Sequence, residues 1–177
     1  CTEHLSTMAT VMKKYDIRLP DRELAACPID SPEGRQYLGA MAASANFAFA
    51  NRQCITHFIR QVVKKAFGKD CPIEMVYDVA HNMAKFEDHL VDGRMQSVLI
   101  HRKGATRAFP AGRAELAAEF QEFGQPVIIP GDMGRASYVL VGTQEALQES
   151  FGSVCHGAGR LMSRTQARQG RQSKDVV

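Results

Sequence analysis

The chain has 177 residues, 45% hydrophobic and 23% charged, which is ordinary globular composition and excludes global disorder. Its net charge of +3 is too small to demand a polyanionic partner, so the placement of charge matters more than its sum. No apolar run approaches the roughly 20 residues a membrane-spanning helix needs, and no signal-peptide pattern opens the chain. The five cysteines, Cys1, Cys27, Cys54, Cys71 and Cys155, are odd in number, widely spaced and never CxxC. They argue against a disulfide framework or zinc ribbon and for a reducing cytoplasm. A chain that starts at Cys1 in a helical pattern reads as trimmed or as a piece of something longer.

In chain order, Leu5, Met8, Val11 and Met12 recur at helical spacing, and this first helix should end near Tyr15–Asp16. Ser31-Pro32-Glu33 is a helix start: N-cap serine, proline in the first turn, an acid at the positive end. The pattern persists from Pro32 to Phe67, with Gly68 as C-cap. The small residues Gly39–Ala45 predict tight packing in its middle. After Cys71-Pro72 the period changes, and Ile73–Val79 predicts a strand. Asp92-Gly93 predicts a hairpin between Glu87–Val91 and Met95–His101. A short helix is expected over Glu115–Phe123, strands over Pro126–Pro130 and Ser137–Val141, a Thr143-capped helix to about Ser150, and a helix from His156 to about Arg171. Helices gather at the front and strands in the middle, so the fold class is α+β, with a mixed sheet in the middle and C-terminal part.

Of the six histidines two stand out. His156 lies in Cys155-His156-Gly157-Ala158-Gly159-Arg160, where glycines let a bound group approach and free N–H groups favour phosphate. A neutral imidazole is also a competent nucleophile toward phosphorus. Cys155 is either a thiol nucleophile or a buried structural cysteine. His81 follows Tyr77-Asp78-Val79-Ala80, and Asp78, His81, Glu87 and His89 are candidate metal ligands, though in no standard zinc spacing. Cations form two groups. His101-Arg102-Lys103-Gly104-Ala105-Thr106-Arg107 is one. In the other, Arg160, Arg164, Arg168, Arg171 and Lys174 recur at helical intervals. This stripe is either a solvated face or a phosphate-binding one. Only Asp175 supplies an acid after Glu149, so intrahelical ion pairs do not account for it.

Several ordered runs carry a family resemblance. They are Ser31–Gly34, Ala45-Asn46-Phe47-Ala48-Phe49-Ala50-Asn51-Arg52, Val76-Tyr77-Asp78-Val79-Ala80-His81-Asn82 and His101–Pro110. Gly124–Gly131, Ala136–Leu140 and Phe151–Arg160 complete the set. Together they resemble the RNA-splicing ligases of the RtcB type over nearly the whole chain. The resemblance implies a GTP- and Mn²⁺-dependent RNA ligase, with two Mn²⁺ per active site. It would join 2′,3′-cyclic phosphate or 3′-phosphate ends to 5′-hydroxyl ends through a GMP-histidine intermediate, in tRNA splicing or RNA repair. It implies His156 as the guanylylated nucleophile and His81 as a manganese ligand. Asn82, Pro130, Gly131, Asp132, Met133, Ser137, Gly157, Ala158 and Gly159 fall at guanylate contacts, and Arg160 and Arg164 at RNA phosphates. Expected partners are GTP, RNA such as tRNA halves, and an activator such as archease, in the cytoplasm and away from membrane.

Two departures accompany the resemblance. Asp132 and Arg135 replace the family's usual Ser and Thr. A carboxylate at 132 would repel a triphosphate but attract a guanine N–H edge. The family's further metal ligands, an Asp, a Cys and two His, and a GTP-contacting Lys have no counterpart here. The chain is therefore expected to be part of a single ligase domain, lacking its N-terminal half and C-terminal tail, and inactive alone. The competing expectations are a catalytically silent RNA- or nucleotide-binding module of the same fold, and a nucleotidyltransferase that guanylylates His156 without joining RNA.

Overall fold

A computed structural model describes residues 2–21, 24–68, 71–131 and 136–157, with backbone alone for residues 2–6. The chain forms two compact units, Cys1–Glu74 and Met75–Val177.

The first unit is helical. Helix α1 spans Thr2–Lys14 and α2 spans Pro32–Phe67. Ser31 caps α2 as the sequence predicts, its hydroxyl accepting from the Gly34 amide at 3.0 Å, and the Gly68 amide closes the other end on the Lys64 carbonyl. Glu33 in the first turn of α2 accepts from Lys14 Nζ at 2.7 Å and from the Tyr15 hydroxyl at 2.9 Å, which joins the end of α1 to the start of α2. These two bonds and the helix's own first-turn amide hold the Glu33 carboxyl down at about 2, Lys14 contributing most. The small-residue stretch departs from expectation. Gly39, Ala42, Ala43 and Ser44 are exposed, and a Cβ at Gly39 would meet nothing within 4 Å.

The second unit is built from short antiparallel ribbons. Strands β1 (Asn82–Val91) and β2 (Arg94–Lys103) pair from Asn82↔Lys103 to Val91↔Arg94. Asp92 and Gly93 form the turn, both at positive φ (50° and 74°), the conformation whose twist suits a two-residue hairpin. Strand β3 (Ala105–Arg107) pairs with β6 (Ser153–Cys155), and β4 (Pro126–Ile129) with β5 (Tyr138–Val141). Helix α3 (Gln144–Ser150) starts on the Thr143 cap as expected. The class is α+β, but the sheets are three two-stranded antiparallel ribbons among the described residues rather than one mixed sheet. Short turns suffice for antiparallel pairs, whereas parallel pairing needs long crossovers.

Phe109, fully buried, centres the core of this unit with Ala108, Leu116 and Val127. The guanidinium groups of Arg107 and Arg113 lie 4.7 and 4.6 Å from its ring centroid. Gln125, also fully buried, is the polar hub. Its Oε1 accepts from the Phe109 amide (3.2 Å) and Arg107 Nε (3.0 Å), and its Nε2 donates to the Tyr77 hydroxyl (2.6 Å).

Two local expectations need correction. Ile73–Val79 is not a strand, and residues 71–80 have no regular structure. Val76 is exposed while Tyr77 packs edge-on against Phe120 and binds Gln125, so side-chain anchorage replaces ladder pairing there. Glu115–Phe123 holds only a 3-10 turn at Ala118–Phe120. The Gln121 amide donates to the Arg113 and Leu116 carbonyls at 2.9 and 2.8 Å, a side-chain bond that competes with helix continuation. The helix expected from His156 to Arg171 lies outside the described residues beyond Gly157, and His156–Gly157 itself forms a bend.

Candidate active site

Two ribbons meet at Gly104. The hairpin β1–β2 ends in Asn82↔Lys103, and the β3–β6 pair begins with Ala105↔Cys155. Gly104 turns the chain from β2 into β3 at φ 66°, in the left-handed region that glycine enters without steric cost. Its amide donates to the His81 carbonyl (2.9 Å) and to Asn82 Oδ1 (2.9 Å), and its carbonyl accepts from the His156 amide (3.0 Å). One residue thus ties the adjacent His81 and Asn82 to His156, more than 70 residues further along the chain.

The result is a pair of stacked imidazoles. The His81 and His156 ring centroids are 4.1 Å apart, with the planes 8° from parallel. His156 Nδ1 is buried with no hydrogen-bond partner among the described residues. A buried polar atom left unpaired costs about 1–3 kcal/mol, which a polar ligand can recover. Imidazole nitrogens suit divalent transition metals, so His81, beside this orphaned nitrogen, fits a place in such a centre. Among the described residues no three His, Cys, Asp or Glu side chains converge into a complete cation site.

The predicted site residues divide in three. His81, Asn82 and His156 come together around Gly104, with exposed Gly157 following. Gly131 and Ser137 come together separately, the Ser137 hydroxyl accepting from the Gly131 amide at 3.1 Å, with Pro130 beside them at the end of β4. Asp132, Met133, Ala158, Gly159, Arg160 and Arg164 lie outside the described residues.

In the first cation cluster the two arginines are engaged within the unit. Arg102 is only 5% exposed and makes a bidentate pair with Glu87 at 2.7 and 2.8 Å. Arg107 is drawn to Gln125 and the Phe109 ring. Glu87 and His89 are likewise not free metal ligands: both are buried and bonded to each other at 3.1 Å, with Glu87 also holding Arg102. Burial pushes the Glu87 carboxyl up, but the hydrogen bonds from Arg102 and then His89 outweigh it and hold the carboxyl below its ordinary range. Lys85 on the same strand has its ammonium held below the ordinary lysine range, first by burial and then by repulsion from Arg107. Cys155 is exposed and unoxidised, not a buried structural thiol.

Sequence reasoning missed Gly104, Glu87–Arg102 and Gln125 as organisers of the site. Gly104 carried a signal, a lone glycine between two strand-like segments, but the partners of Arg102 and Gln125 are set by tertiary structure.

A family model described as tRNA-splicing ligase RtcB matches residues 1–177. A tRNA-splicing ligase RtcB from Archaeoglobus fulgidus is 53% identical over 172 residues, covering 96% of this chain and 36% of the relative. That of Methanococcus maripaludis is 53% identical over 170 residues, covering 94% and 35%. That of Methanocaldococcus jannaschii is 50% identical over 179 residues, covering 99% and 18%. The chain thus spans about a third or less of these relatives' length. With the motif histidines stacked and the match running end to end, the chain belongs to the family of tRNA-splicing ligase RtcB.

Proposed function

We propose that this chain carries the nucleotidyl-transfer centre of a GTP- and Mn²⁺-dependent RNA ligase acting in the cytoplasm. The observation that carries the proposal is the His81–His156 stack pinned on Gly104. It holds a nucleophilic imidazole against a potential metal-binding imidazole, a fixed geometry that removes part of the entropic barrier to reaction.

A ring nitrogen of His156 attacks the α-phosphorus of GTP. A P–N bond forms, the bond to the bridging oxygen breaks, and pyrophosphate leaves. The guanylyl group then passes to an RNA 3′-phosphate: the P–N bond breaks and a phosphoanhydride forms. A 2′,3′-cyclic end is first opened by water to the 3′-phosphate. Finally the 5′-hydroxyl of the second RNA end attacks the activated phosphate, losing its proton, and GMP departs. Mn²⁺, held by His81 with ligands from outside the described residues, would neutralise triphosphate charge. Asn82 receives the Gly104 amide through Oδ1, which leaves its NH₂ group to face guanylate. Pro130, Gly131 and Ser137, with Asp132, Met133 and Gly157–Gly159, form the rest of the guanylate contacts. Arg160 and Arg164 hold RNA phosphate, and archease is the proposed activator.

The test supplies the full-length protein with tRNA halves bearing a 2′,3′-cyclic phosphate and a 5′-hydroxyl. Joining should require both GTP and Mn²⁺ and vanish in His156→Ala. Joining without GTP, or undiminished in His156→Ala, would overturn the proposal.

A further inference from the structure

The guanidinium of Arg102 reaches two parts of the second unit at once. One edge makes the bidentate pair with Glu87 on β1. Nη2 also donates to the Phe151 carbonyl (2.8 Å), and Nε donates to the Ser153 hydroxyl (2.9 Å). Phe151 and Ser153 stand at the entry to β6, and His156 follows that strand directly. A buried ion pair is weak evidence for stability, and its better-attested role is to fix register. Register is the weak point here. The β3–β6 ladder is three residues long, Arg107↔Ser153 to Ala105↔Cys155, and a slip of one residue would turn its side chains to opposite faces. Phe151 at the C-cap of α3 also sits in the left-handed region (φ 53°), uncommon for a bulky residue and in need of support from its surroundings.

We propose that Arg102 is a positioning residue for His156: its planar fork, oriented by Glu87, sets the height and register of β6 so that the His156 ring stacks on His81. This rests on the proposed role of His156. The same role falls to no lysine, since a single ammonium lacks the fork that engages Glu87 and β6 together. Ser153 is the severable link, because losing its hydroxyl leaves the Glu87–Arg102 pair intact.

The experiment uses the full-length protein with two readouts. The first is single-turnover formation of the guanylyl adduct from labelled GTP with Mn²⁺. Ser153→Ala should slow adduct formation about 10-fold and Arg102→Lys about 100-fold at saturating GTP, the scale expected for misplacing a reacting group by an ångström. Half-saturating GTP should change less than about 2-fold, since uniform binding is untouched. Ser153→Thr, which keeps the hydroxyl, should restore the rate. The second readout is the NMR resonance of the His156 ring C–H groups, shifted by the neighbouring His81 ring. It should move in Ser153→Ala and Arg102→Lys and return in Ser153→Thr. If folded Ser153→Ala and Arg102→Lys keep both the wild-type rate and the wild-type resonance, the proposal is overturned. A rise in half-saturating GTP at unchanged maximal rate would also overturn it, by making Arg102 a GTP-binding group. If the wild type forms no adduct while the resonances move as expected, the catalytic reading of His156 fails and the positioning role of Arg102 stands.

Discussion

Replacing Gln125 by leucine removes the polar hub beneath Phe109 while nearly conserving volume, so a cavity contributes little. The backbone bonds of residue 125, from its amide to the Phe109 carbonyl and from the Gly142 amide to its carbonyl, survive the change. Three side-chain bonds do not. The Phe109 amide loses its 3.2 Å contact to Oε1 inside a fully buried core, Arg107 Nε loses an acceptor, and the Tyr77 hydroxyl loses a donor at 2.6 Å. An unpaired buried amide alone costs about 1–3 kcal/mol, and the two part-buried losses bring the expected total to about 2–4 kcal/mol. Gln125→Glu provides the contrast. Its carboxylate still accepts from the Phe109 amide and from Arg107, and the Tyr77 hydroxyl can turn and donate to it, so the cost reduces to desolvating the carboxylate, offset in part by the Arg107 guanidinium, and is expected to stay below that of the leucine variant. Urea denaturation of the two variants measures both values. Hydrogen exchange over residues 77–81 should rise in the leucine variant, because Tyr77 anchors the irregular segment leading to His81. A leucine variant within about 1 kcal/mol of wild type, or a glutamate variant as damaged as the leucine one, would refute this reasoning.

Gly104→Val puts a β-branched residue at φ 66° and should cost about 1–3 kcal/mol in chemical denaturation while slowing His156 adduct formation more than Gly104→Ala does. The Glu33 carboxyl is held at about 2 in the folded chain, below its ordinary value. Its stabilising contribution is therefore complete above that ordinary value and lost as pH falls toward 2. Circular dichroism of the helical unit should show that acid loss, and Glu33→Gln should remove it. Arg160→Ala and Arg164→Ala should each weaken RNA binding and reduce its salt dependence by about one phosphate contact, read from binding titrations at several salt concentrations.

Features encoded by local chemistry were legible in the sequence. Ser31-Pro32-Glu33 and Gly68 delimit α2 to the residue, Asp92-Gly93 turns the hairpin, and Thr143 starts α3. His81 and His156 also stood out among the six histidines, and their rings stack. What depends on distant partners was not legible. Arg102 looks like one cation among several, yet Glu87, fifteen residues away, draws it into the core. Ile73–Val79 has strand composition, but Tyr77 spends itself on Gln125 and Phe120 instead of a ladder. The three residues of β6 are too few to show any periodicity, although they carry the chain to His156.

His156 is proposed to take a guanylyl group onto a ring nitrogen. The most direct measurement is to incubate the full-length protein with GTP labelled at the α-phosphate and Mn²⁺, then to map the modified residue by mass spectrometry. One adduct is expected, on His156, labile in acid and stable to mild alkali as a P–N bond should be. It should be absent in His156→Ala and present in Cys155→Ser. An adduct on the exposed Cys155, or labelling that persists in His156→Ala, would contradict this role of His156.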